Sequence, residues 1–428
     1  MFSQALPAVP DLAALAAVRS AAFPALFQSS QDKGWDILFA LPGVRRCFAA
    51  HEQQAFLAEL DGLPLAGEPA GPWPFAGGWV VYAGYELLEA FEPTVPARQD
   101  DGPRAALIRC PAAVLVERAT QQAWLVAETA AQLSELAELV AAAPKWQPQP
   151  LVVASVTEDD PQAFLDGVAA CQRYIVEGDV FQVNLSRGWD VALAAGGAHD
   201  LYAALRRANP APFSALFDLG EGRHIVSSSP ERLVSVQGEL VQTRPIAGTH
   251  PRGATPDEDA ALKARLIGTV KERAEHIMLV DLERNDLGRI AVPGSVQVDE
   301  LMAVASYAFV HHIESNIRAR LRSGITPRQL LRALFPGGTI TGCPKVRCMQ
   351  IIRELEDRSR LAYTGSVGYI GVDGQADFNI LIRSFMQCGS QLYFRAGAGI
   401  VADSDAGREL QETRHKARGL LRALGVAG

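Results

Sequence analysis

The sequence predicts an α+β fold, in which large, mostly antiparallel sheets carry helices on their outer faces. Strand-like runs follow one another in hairpin-like groups, such as Phe213 to Phe217 and Arg223 to Ser227, which flank a Gly-Glu-Gly turn. These runs do not alternate strictly with helices, as the strands of parallel βαβ sheets do. Both observations favour antiparallel sheets over a doubly wound parallel sheet.

The first 150 residues predict short strands, one clear helix and then a linker. Trp79 to Tyr85 is rich in aromatic and β-branched residues and is typical of a strand. Ala130 to Ala143 has the Ala, Leu and Glu content of a helix, and the prolines between Pro144 and Pro150 indicate a linker. We therefore divide the chain into an N-terminal region, 1–150, and a second region, 151–428, which carries the candidate site.

The second region predicts groups of strands separated by helices. Asp159 to Glu177 opens with Asp-Asp-Pro and ends before Gly178, and both features are frequent at helix boundaries. The other predicted helices are Asp200 to Asn209, Pro256 to Asp286, Thr326 to Phe335, Lys345 to Glu356 and Ala406 to Leu424. The other predicted strands are Val180 to Ser186, Val296 to Ile313, Ser366 to Ile370, Ala376 to Phe385 and Leu392 to Val401.

Composition limits the class of protein. The chain has 428 residues, of which 48% are hydrophobic and 21% charged, as in a soluble globular enzyme. The formal net charge of -8 argues against a nucleic-acid-binding surface. No run reaches the roughly 18 uncharged apolar residues of a membrane span. The six scattered cysteines lack zinc spacing, and the N-terminus lacks a signal-peptide pattern, so we expect reduced thiols and a cytoplasmic location.

Two pairs of glutamates predict a cation site. Glu272 and Glu275 are three residues apart, as are Glu409 and Glu412, so each pair shares one face of a helix. Lys416 follows Glu412 by four residues on the same face. Either pair alone is more typical of a solvated helix face. Together, four carboxylates in two helical pairs could hold one hard cation such as Mg²⁺.

Two glycine-rich segments are candidate anion receptors. The segment Gly397 to Gly399 interrupts a strand-like run, and we interpret it as a turn whose free amides could bind a carboxylate. The segment Gly337 to Lys345 resembles a phosphate loop only superficially, because Pro344 lacks the N–H that a phosphate cradle needs. A hydroxyl-bearing turn that contacts a carboxylate, or a helix N-terminus capped by threonine, fits this segment better.

For several residues the sequence allows both a structural and a functional interpretation. Arg383 ends an apolar strand and must have an anionic partner, either a structural carboxylate or a substrate. One of His311 and His312 should point inward, where a histidine is more often a satisfied core group than an acid or base. Glu231 can open a turn and pair with Arg232.

No nucleophile for making ammonia from glutamine is evident. No cysteine lies in a glycine-flanked turn with a downstream His-x-Glu partner. If ammonia is used, another chain must supply it. The segment Val280 to Leu287 is interpreted as an ion-paired, structural helix end.

Five ordered motifs together resemble one family, the chorismate-utilising enzymes, which include anthranilate synthase component I, aminodeoxychorismate synthase component I, isochorismate synthase and salicylate synthase. The resemblance covers roughly residues 155 to 425 and, more loosely, the region before residue 145, for example at 77–79 and 84–86. It implies two large, mostly antiparallel sheets packed as a sandwich with helices outside. The motifs are Arg-Pro-Ile-Ala-Gly-Thr (244–249), Lys-Glu-Arg-Ala-Glu-His-Ile-Met-Leu-Val-Asp-Leu (271–282), Gly-Thr-Ile-Thr-Gly-Cys-Pro-Lys (338–345), Tyr-Thr-Gly-Ser-Val-Gly-Tyr (363–369) and Gly-Ala-Gly-Ile-Val-Ala-Asp-Ser (397–404).

The resemblance also implies roles for the candidate residues. Glu275 and Glu412 would bind Mg²⁺ directly, and Glu272 and Glu409 would hold its waters. Glu231 matches the family's general acid, which protonates the departing ring hydroxyl and needs a raised pKa. The histidine beside the ring would be His312. The two carboxylates of chorismate would be received by Gly248, Thr249, Thr339, Tyr363, Arg383, Gly397, Ala398, Gly399 and Lys416.

Two positions bear on the branch of the family. Isochorismate and salicylate synthases resemble this chain but carry a lysine base where it has Gln182, and a neutral amide cannot deprotonate water. An ammonia-using member is therefore expected. Many aminodeoxychorismate synthases carry a nucleophilic lysine where this chain has Ala247, and alanine is usual in anthranilate synthases.

The motifs Gln-Val-Asn-Leu (182–185) and Phe-Pro-Gly-Gly-Thr-Ile-Thr-Gly-Cys-Pro-Lys (335–345) resemble those of aminodeoxychorismate synthase component I. We therefore expect chorismate to be aminated to 4-amino-4-deoxychorismate, a precursor of 4-aminobenzoate and folate. A separate glutaminase would supply ammonia, and a downstream lyase would act on the product. The alternatives are an anthranilate synthase, which aminates the ortho position and releases pyruvate, and a catalytically silent chorismate-binding subunit.

Overall fold

The computed structural model describes residues 1–307 and 310–426, except for the side chains of residues 249–251, 270, 271 and 310. The helices are α1 (Leu12–Val18), α2 (Gln53–Asp61), α3 (Leu88–Phe91), α4 (Ala130–Ala141), α5 (Pro161–Val176), α6 (Ala198–Ala208), α7 (Pro256–Gly268), α8 (Val270–Gly288), α9 (Pro327–Leu334), α10 (Lys345–Leu355) and α11 (Ala406–Ala423). Single 3-10 turns lie at Ala50–Glu52, Tyr85–Leu87 and Gly338–Ile340.

The rest of the regular structure is β-strand. The strands are β1 (Phe2–Ala5), β2 (Ala25–Gln28), β3 (Trp35–Ala40), β4 (Arg45–Phe48), β5 (Gly78–Ala83), β6 (Ala105–Cys110), β7 (Ala112–Glu117), β8 (Gln122–Ala127), β9 (Val152–Glu158), β10 (Gln182–Ala195), β11 (Phe213–Gly220), β12 (Arg223–Ser229), β13 (Arg232–Gln237), β14 (Leu240–Arg244), β15 (Ile246–Pro251), β16 (Gln297–Ser306), β17 (Val310–Arg320), β18 (Gly342–Cys343), β19 (Ser366–Gly371), β20 (Ala376–Asn379), β21 (Ser384–Cys388) and β22 (Gln391–Ile400).

These strands form two antiparallel sheets, as the sequence predicted. The first has the order β1-β8-β7-β3-β2-β11-β12-β21-β22-β10-β18, with β9 also paired to β10. The second has the order β15-β17-β14-β13-β20-β19-β5-β6-β4, with β16 also paired to β17. The predicted hairpin of β11 and β12 is present, with Phe217 opposite Ile225.

The two sheets pack face to face. Phe39 of the first sheet lies with Tyr82 and Tyr369 of the second in one buried cluster. Its ring centroid is 5.8 Å from that of Tyr369. The opposite face of the first sheet is covered by α1, α4, α6 and α11, whose apolar residues include Leu201 and Leu420. The predicted sandwich with external helices is therefore confirmed.

Both sheets take strands from both sides of residue 150. In the first sheet β2 pairs with β11, and in the second β5 pairs with β19. The division into 1–150 and 151–428 therefore follows the linker in the chain and does not separate one sheet from the other.

One predicted strand is two strands in different sheets. Ala376 to Phe385 was expected to be continuous, but β20 belongs to the second sheet and β21 to the first. The chain crosses between them at residues 380–383, where Arg383 has a positive φ of 53°. This conformation is uncommon for a residue with a Cβ atom and is found where the surroundings enforce it. The crossing carries Arg383 into the space between the two sheets.

The predicted long helix from Pro256 to Asp286 is also divided. It forms α7 and α8, which meet at Thr269, a residue with extended backbone (φ -75°, ψ 114°). Among the described residues, no helix is long and apolar enough to cross a membrane. All six cysteines are free thiols.

Candidate active site

Glu231 is a buried acid between β12 and β13. Its side chain is only 4% exposed, and Oε1 accepts a hydrogen bond of 2.7 Å from the hydroxyl of Thr339. Burial raises its pKa to about 8, and the charge of Glu283 adds to the rise, although Thr339 and Arg383 oppose it. Glu231 is therefore a neutral proton donor near pH 7. The alternative pairing with Arg232 is wrong, because Arg232 binds Asp377 at 2.9 Å.

Arg383 lies close to this acid. Burial lowers the pKa of Arg383, and the carboxyl of Glu231 and the phenol of Tyr363 oppose the change, so all three side chains share one electrostatic environment. The half-buried guanidinium remains charged at neutral pH. Of its two predicted partners, a structural carboxylate or a substrate, the structure provides Glu231, which is largely neutral. An anionic ligand would supply the missing charge.

His312 approaches the same space from β17. It is 2% exposed, and its Nδ1 lies 3.2 Å from the carbonyl of Gly248, which can only accept, so Nδ1 carries the proton of this hydrogen bond. Burial lowers its pKa to about 3, and the positive charges of Arg383 and Lys416 contribute. The imidazole is therefore neutral. Its neighbour His311 is also buried, and it contacts Asp259 and Ser306 instead.

Gly248 needs to be a glycine at this point. Its φ is +62°, and a Cβ atom there would lie 2.7 Å from Oε2 of Glu272. The carboxylate of Glu272 therefore lies against the backbone of β15. Thr249 belongs to the same strand, opposite His312, but its side chain lies outside the described residues.

Gln182 and Glu275 meet across the site. Gln182 is the first residue of β10, and its Nε2 donates a 2.7 Å hydrogen bond to Oε1 of Glu275 on α8. Burial raises the pKa of Glu275; Gln182 opposes this rise, whereas the charges of Glu272 and Glu412 add to it. The two helical pairs of carboxylates are therefore close enough to interact, as the sequence predicted.

The pair on α11 is divided between two environments. Glu409 is buried in the first turn and accepts a 2.8 Å hydrogen bond from Ser404. Glu412 is half exposed and lies 2.7 Å from Nζ of Lys416, which also donates to the carbonyl of Gly397 at 3.0 Å. Burial lowers the pKa of Lys416, but the carboxylate of Glu412 outweighs burial and raises it. Lys416 is charged.

The fit of these residues to a magnesium ion can be judged from their chemistry. Among the described residues, no three His, Cys, Asp or Glu side chains form a ready-made metal-binding group. Mg²⁺ is commonly bound by one or two protein carboxylates and completes its shell with water and substrate. Glu275 and Glu412 are hard oxygen ligands whose charges act on each other, which a cation would relieve. The residues present fit such an ion.

The predicted turn at Gly397 to Gly399 is wrong. These residues lie within β22, with Gly397 opposite Ser186 and Gly399 opposite Asn184 on β10. The glycines serve close approach instead, because a Cβ atom at Gly397 would lie 2.7 Å from the hydroxyl of Tyr363. A Cβ atom at Gly399 would collide with the amide of Gln182. The described pairing of β21 with β22 ends at Tyr393, so the far edge of this segment faces the site.

Two buried residues beside the site were not singled out from the sequence. Glu283 lies in a segment interpreted as an ion-paired, structural helix end, but it accepts hydrogen bonds from Gly338 N and Thr243 Oγ1, both at 3.2 Å. It follows Glu275 by eight residues, and this helical spacing could have indicated it. Arg360 lies three residues before Tyr363 and is 1% exposed. A lone arginine in a polar segment gives no comparable signal.

The fold and the site define a class of protein: a two-sheet α+β protein with a polar site built from residues of both sheets and of α8 and α11. The chain belongs to the family of chorismate binding enzymes, whose model matches residues 23–422. This result confirms the resemblance found in the motifs, and the chain is a chorismate-utilising enzyme.

Similar proteins come from two branches of this family. The chain is 39% identical to anthranilate synthase component 1 of Streptomyces coelicolor over 84% of this chain and 74% of that protein. It is 40% identical to aminodeoxychorismate synthase component 1 of Salmonella typhimurium over 86% of this chain and 81% of that protein. Neither identity favours one branch.

The solved structures agree on the fold. The crystal structure of anthranilate synthase component I from Streptococcus pneumoniae has a TM-score of 0.80 and 30% identity, and the alignment covers 92% of this chain and 93% of that chain. The menaquinone-specific isochorismate synthase of Escherichia coli has a TM-score of 0.77 and 22% identity over 99% of this chain and 94% of that chain, which supports the fold alone.

Proposed function

We propose that this chain aminates chorismate with ammonia to give 4-amino-4-deoxychorismate. The observation that carries the choice of ammonia over water is the environment of Gln182. Its amide donates a hydrogen bond of 2.7 Å to Glu275, and an amide is not basic enough to remove a proton from water. A water-adding enzyme needs a base to remove a proton from water, whereas ammonia is already a nucleophile.

Glu231 supplies the acid for this reaction. The nitrogen of ammonia forms a bond to the ring carbon, the bond between the ring and its hydroxyl oxygen breaks, and Glu231 donates its proton so that water leaves. The new ammonium group then loses one proton, which balances the proton that Glu231 has given. The raised pKa of about 8 keeps Glu231 protonated at neutral pH, as this role requires.

Charged groups of this chain would receive the two carboxylates of chorismate. Arg383 and Lys416 are cations that both act on His312, so they converge on one space. Tyr363, the backbone of Gly248 and the open edge of Gly397 to Gly399 offer further polar contacts. Thr339 is already engaged with Glu231, and in this proposal it orients the acid as well as contacting substrate.

Glu275 and Glu412 would hold Mg²⁺, with Glu272 and Glu409 beside them. The bound ion would act as a Lewis acid and template for a substrate carboxylate. Gln182 would keep Glu275 in place through its amide.

Ammonia would come from a separate glutaminase. The similar proteins of Streptomyces coelicolor and Salmonella typhimurium are each called component 1, and this chain has no residues recognisable as a glutaminase nucleophile. A lyase acting on the product would then complete 4-aminobenzoate for folate synthesis.

Ortho amination to anthranilate, with release of pyruvate, is the second candidate. Ala247 favours it, because this buried residue precedes Gly248 at the site and carries no nucleophile. Without a lysine there, no lysine adduct with the ring forms at this position, and ammonia or some other group must make the first displacement directly.

One assay separates the candidates. The purified chain is incubated with chorismate, Mg²⁺ and an ammonium salt at alkaline pH, with the Glu231→Gln variant as a matched control. Aminobenzoate that forms only after the lyase is added supports the proposal. Fluorescent anthranilate that forms without lyase supports the second candidate. Chorismate binding without turnover identifies a silent binding subunit and overturns both.

A further inference from the structure

Arg360 is a fully buried cation that lies behind the candidate site. Its side chain is 1% exposed, and every N–H of its guanidinium has an acceptor. Nε donates to Glu356 Oε2 at 2.9 Å, and Nη2 donates to Glu356 Oε1 at 2.6 Å and to the Asn184 carbonyl at 2.8 Å. Nη1 donates to the Ile340 carbonyl at 3.1 Å and to Thr364 Oγ1 at 3.3 Å. A guanidinium satisfied in this way is held in one orientation.

Three of the four residues that accept hydrogen bonds from Arg360 lie one or two positions from a site residue, each in a different part of the fold. Ile340 follows Thr339, whose hydroxyl binds the acid Glu231. Thr364 follows Tyr363, and the guanidinium carbon of Arg360 lies 5.4 Å from the centroid of the Tyr363 ring. Asn184 lies on the same face of β10 as Gln182. One side chain therefore connects three elements, and it adds to the backbone hydrogen bonds that already join β10 to the segment after the 338–340 turn, such as Asn184 N to the Thr341 carbonyl at 2.9 Å.

Glu356 extends this connection to a fourth element. It lies 3.1 Å from Arg395 on β22, and it accepts bonds of 2.8 Å from the amide and the hydroxyl of Ser186. Since Gly397 and Gly399 are further along β22, the open edge of that strand is tied to the same carboxylate. The two buried cations lower the pKa of Glu356 despite its burial.

We propose that Arg360, held by Glu356, is a positioning residue for the reaction: it sets Thr339 and Tyr363 relative to Glu231 and to the bound chorismate. It does not contact substrate in this proposal. Burying one carboxylate with two guanidiniums contributes little net stability compared with an apolar core, so stability alone does not explain the arrangement. The inference rests on the proposed function only for its kinetic readouts.

The test is Arg360→Lys, which keeps the charge and loses the fork of donors. We expect the KM for chorismate to rise roughly tenfold. We also expect the alkaline limb of kcat to move to higher pH, because the bond from Thr339 lowers the pKa of Glu231 and would be weakened. Glu283, Arg383 and the backbone of Ile246 also act on Glu231, and none of them contacts Arg360 among the described residues.

Arg358→Lys is the matched control. Arg358 lies two residues earlier, pairs with Asp159 and Asp190 at the protein surface and stacks on Tyr393. Arg358→Lys therefore makes the same chemical change at a partly exposed arginine that does not contact the 338–340 turn or Tyr363 among the described residues. Its KM and pH profile should equal those of the wild type. If Arg360→Lys lowers the melting temperature but leaves KM and the alkaline limb unchanged, the residue is only structural and the proposal is overturned.

Two further measurements cover the remaining outcomes. If Arg360→Lys does not fold, Thr364→Ala removes one acceptor of Arg360 together with the hydroxyl's own bond to the Tyr363 carbonyl. A KM two to three times that of the wild type then supports the proposal, whereas an unchanged KM overturns it. If the wild type does not aminate chorismate, the proposed function fails, and the Kd for chorismate by calorimetry in Mg²⁺ then decides. Weaker binding by Arg360→Lys supports positioning, and equal binding overturns it.

Discussion

The two halves of the site differ in how far the chain completes them by itself. The acid half, around Glu231, Thr339 and Glu283, is buried and bonded within the protein. The carboxylate half, around Glu275 and Glu412, brings like charges together at the ends of two helices, with Glu412 half exposed. The acid half is preorganised in the folded chain, whereas the carboxylate half has a charge imbalance that a bound cation would relieve.

This difference predicts that the carboxylate half depends on added Mg²⁺, whereas the acid half does not. Substitutions in the acid half should change the chemistry while leaving metal dependence alone. Those in the carboxylate half should change the dependence on Mg²⁺ first. Three experiments test this contrast, and a fourth tests which product the site makes.

The largest effect is expected from Glu275→Gln, which removes one of the two proposed metal ligands. Turnover should fall by roughly 10³-fold or more at any Mg²⁺ concentration, since a neutral amide is a poor ligand for a hard cation. Chelation of the wild type should have the same effect and be reversed by Mg²⁺. Glu354→Gln, on an exposed face of α10, is the control and should remain active. Near-normal activity of Glu275→Gln at low Mg²⁺ would refute the metal assignment.

Glu231→Gln should reduce kcat by about 10²-fold or more, because the amide cannot donate the proton, while chorismate binding is kept. Folding raises the pKa of Glu231 from 4.5 to about 8, so its stabilising protonation is complete below pH 4.5 and is lost as the pH rises to about 8. The glutamine variant cannot ionise and therefore does not lose stability over this pH range. Denaturant unfolding at pH 9 should show it to be more stable than the wild type, by on the order of a few kcal/mol. A variant that is less stable at this pH would contradict the buried, neutral acid.

The pH dependence of the wild type follows from the same group. Activity requires protonated Glu231, so kcat should decline above about pH 8, tenfold for each further pH unit. Rates should be compared at equal concentrations of neutral ammonia, whose share of total ammonium also changes with pH. A kcat that stays level to pH 10 would exclude Glu231 as the acid.

Ala247→Lys is expected to have the smallest effect on anthranilate formation, with no increase over the wild type. A lysine here would add a nucleophile next to Gly248 and favour attack on the ring by the protein, which does not produce the ortho product. Product analysis with and without lyase measures this. Higher anthranilate output would show that the para-aminating assignment is wrong.

The sequence predicted the site where regular spacing carries the information. The glutamate pairs were found from helical periodicity, and the structure brings Glu275 and Glu412 within electrostatic reach. The strand break at Arg383 was missed because apolar residues continue through Ala376 to Phe385. The pairing of β20 and β21 with different sheets shows that the chain crosses there, at a residue with a positive φ.

Glycines were harder to interpret because two different structural requirements can make glycine necessary at a position. At Gly248 a positive φ requires glycine, whereas at Gly397 and Gly399 neighbouring side chains occupy the space of a Cβ atom. Only the second reason depends on residues distant in sequence, and it led to a strand being interpreted as a turn. Arg360 was missed for a similar reason, since all its partners except Glu356 and Thr364 come from elsewhere in the chain.

The sharing of both sheets across residue 150 limits how the protein can be shortened. A fragment starting at residue 151 would expose two strand edges: the edge of β11 that pairs with β2 and the edge of β19 that pairs with β5. Uncovered strands of this kind readily pair with other chains, so such a fragment should aggregate. Supplying residues 1–150 as a second polypeptide, by contrast, should restore a soluble two-piece enzyme.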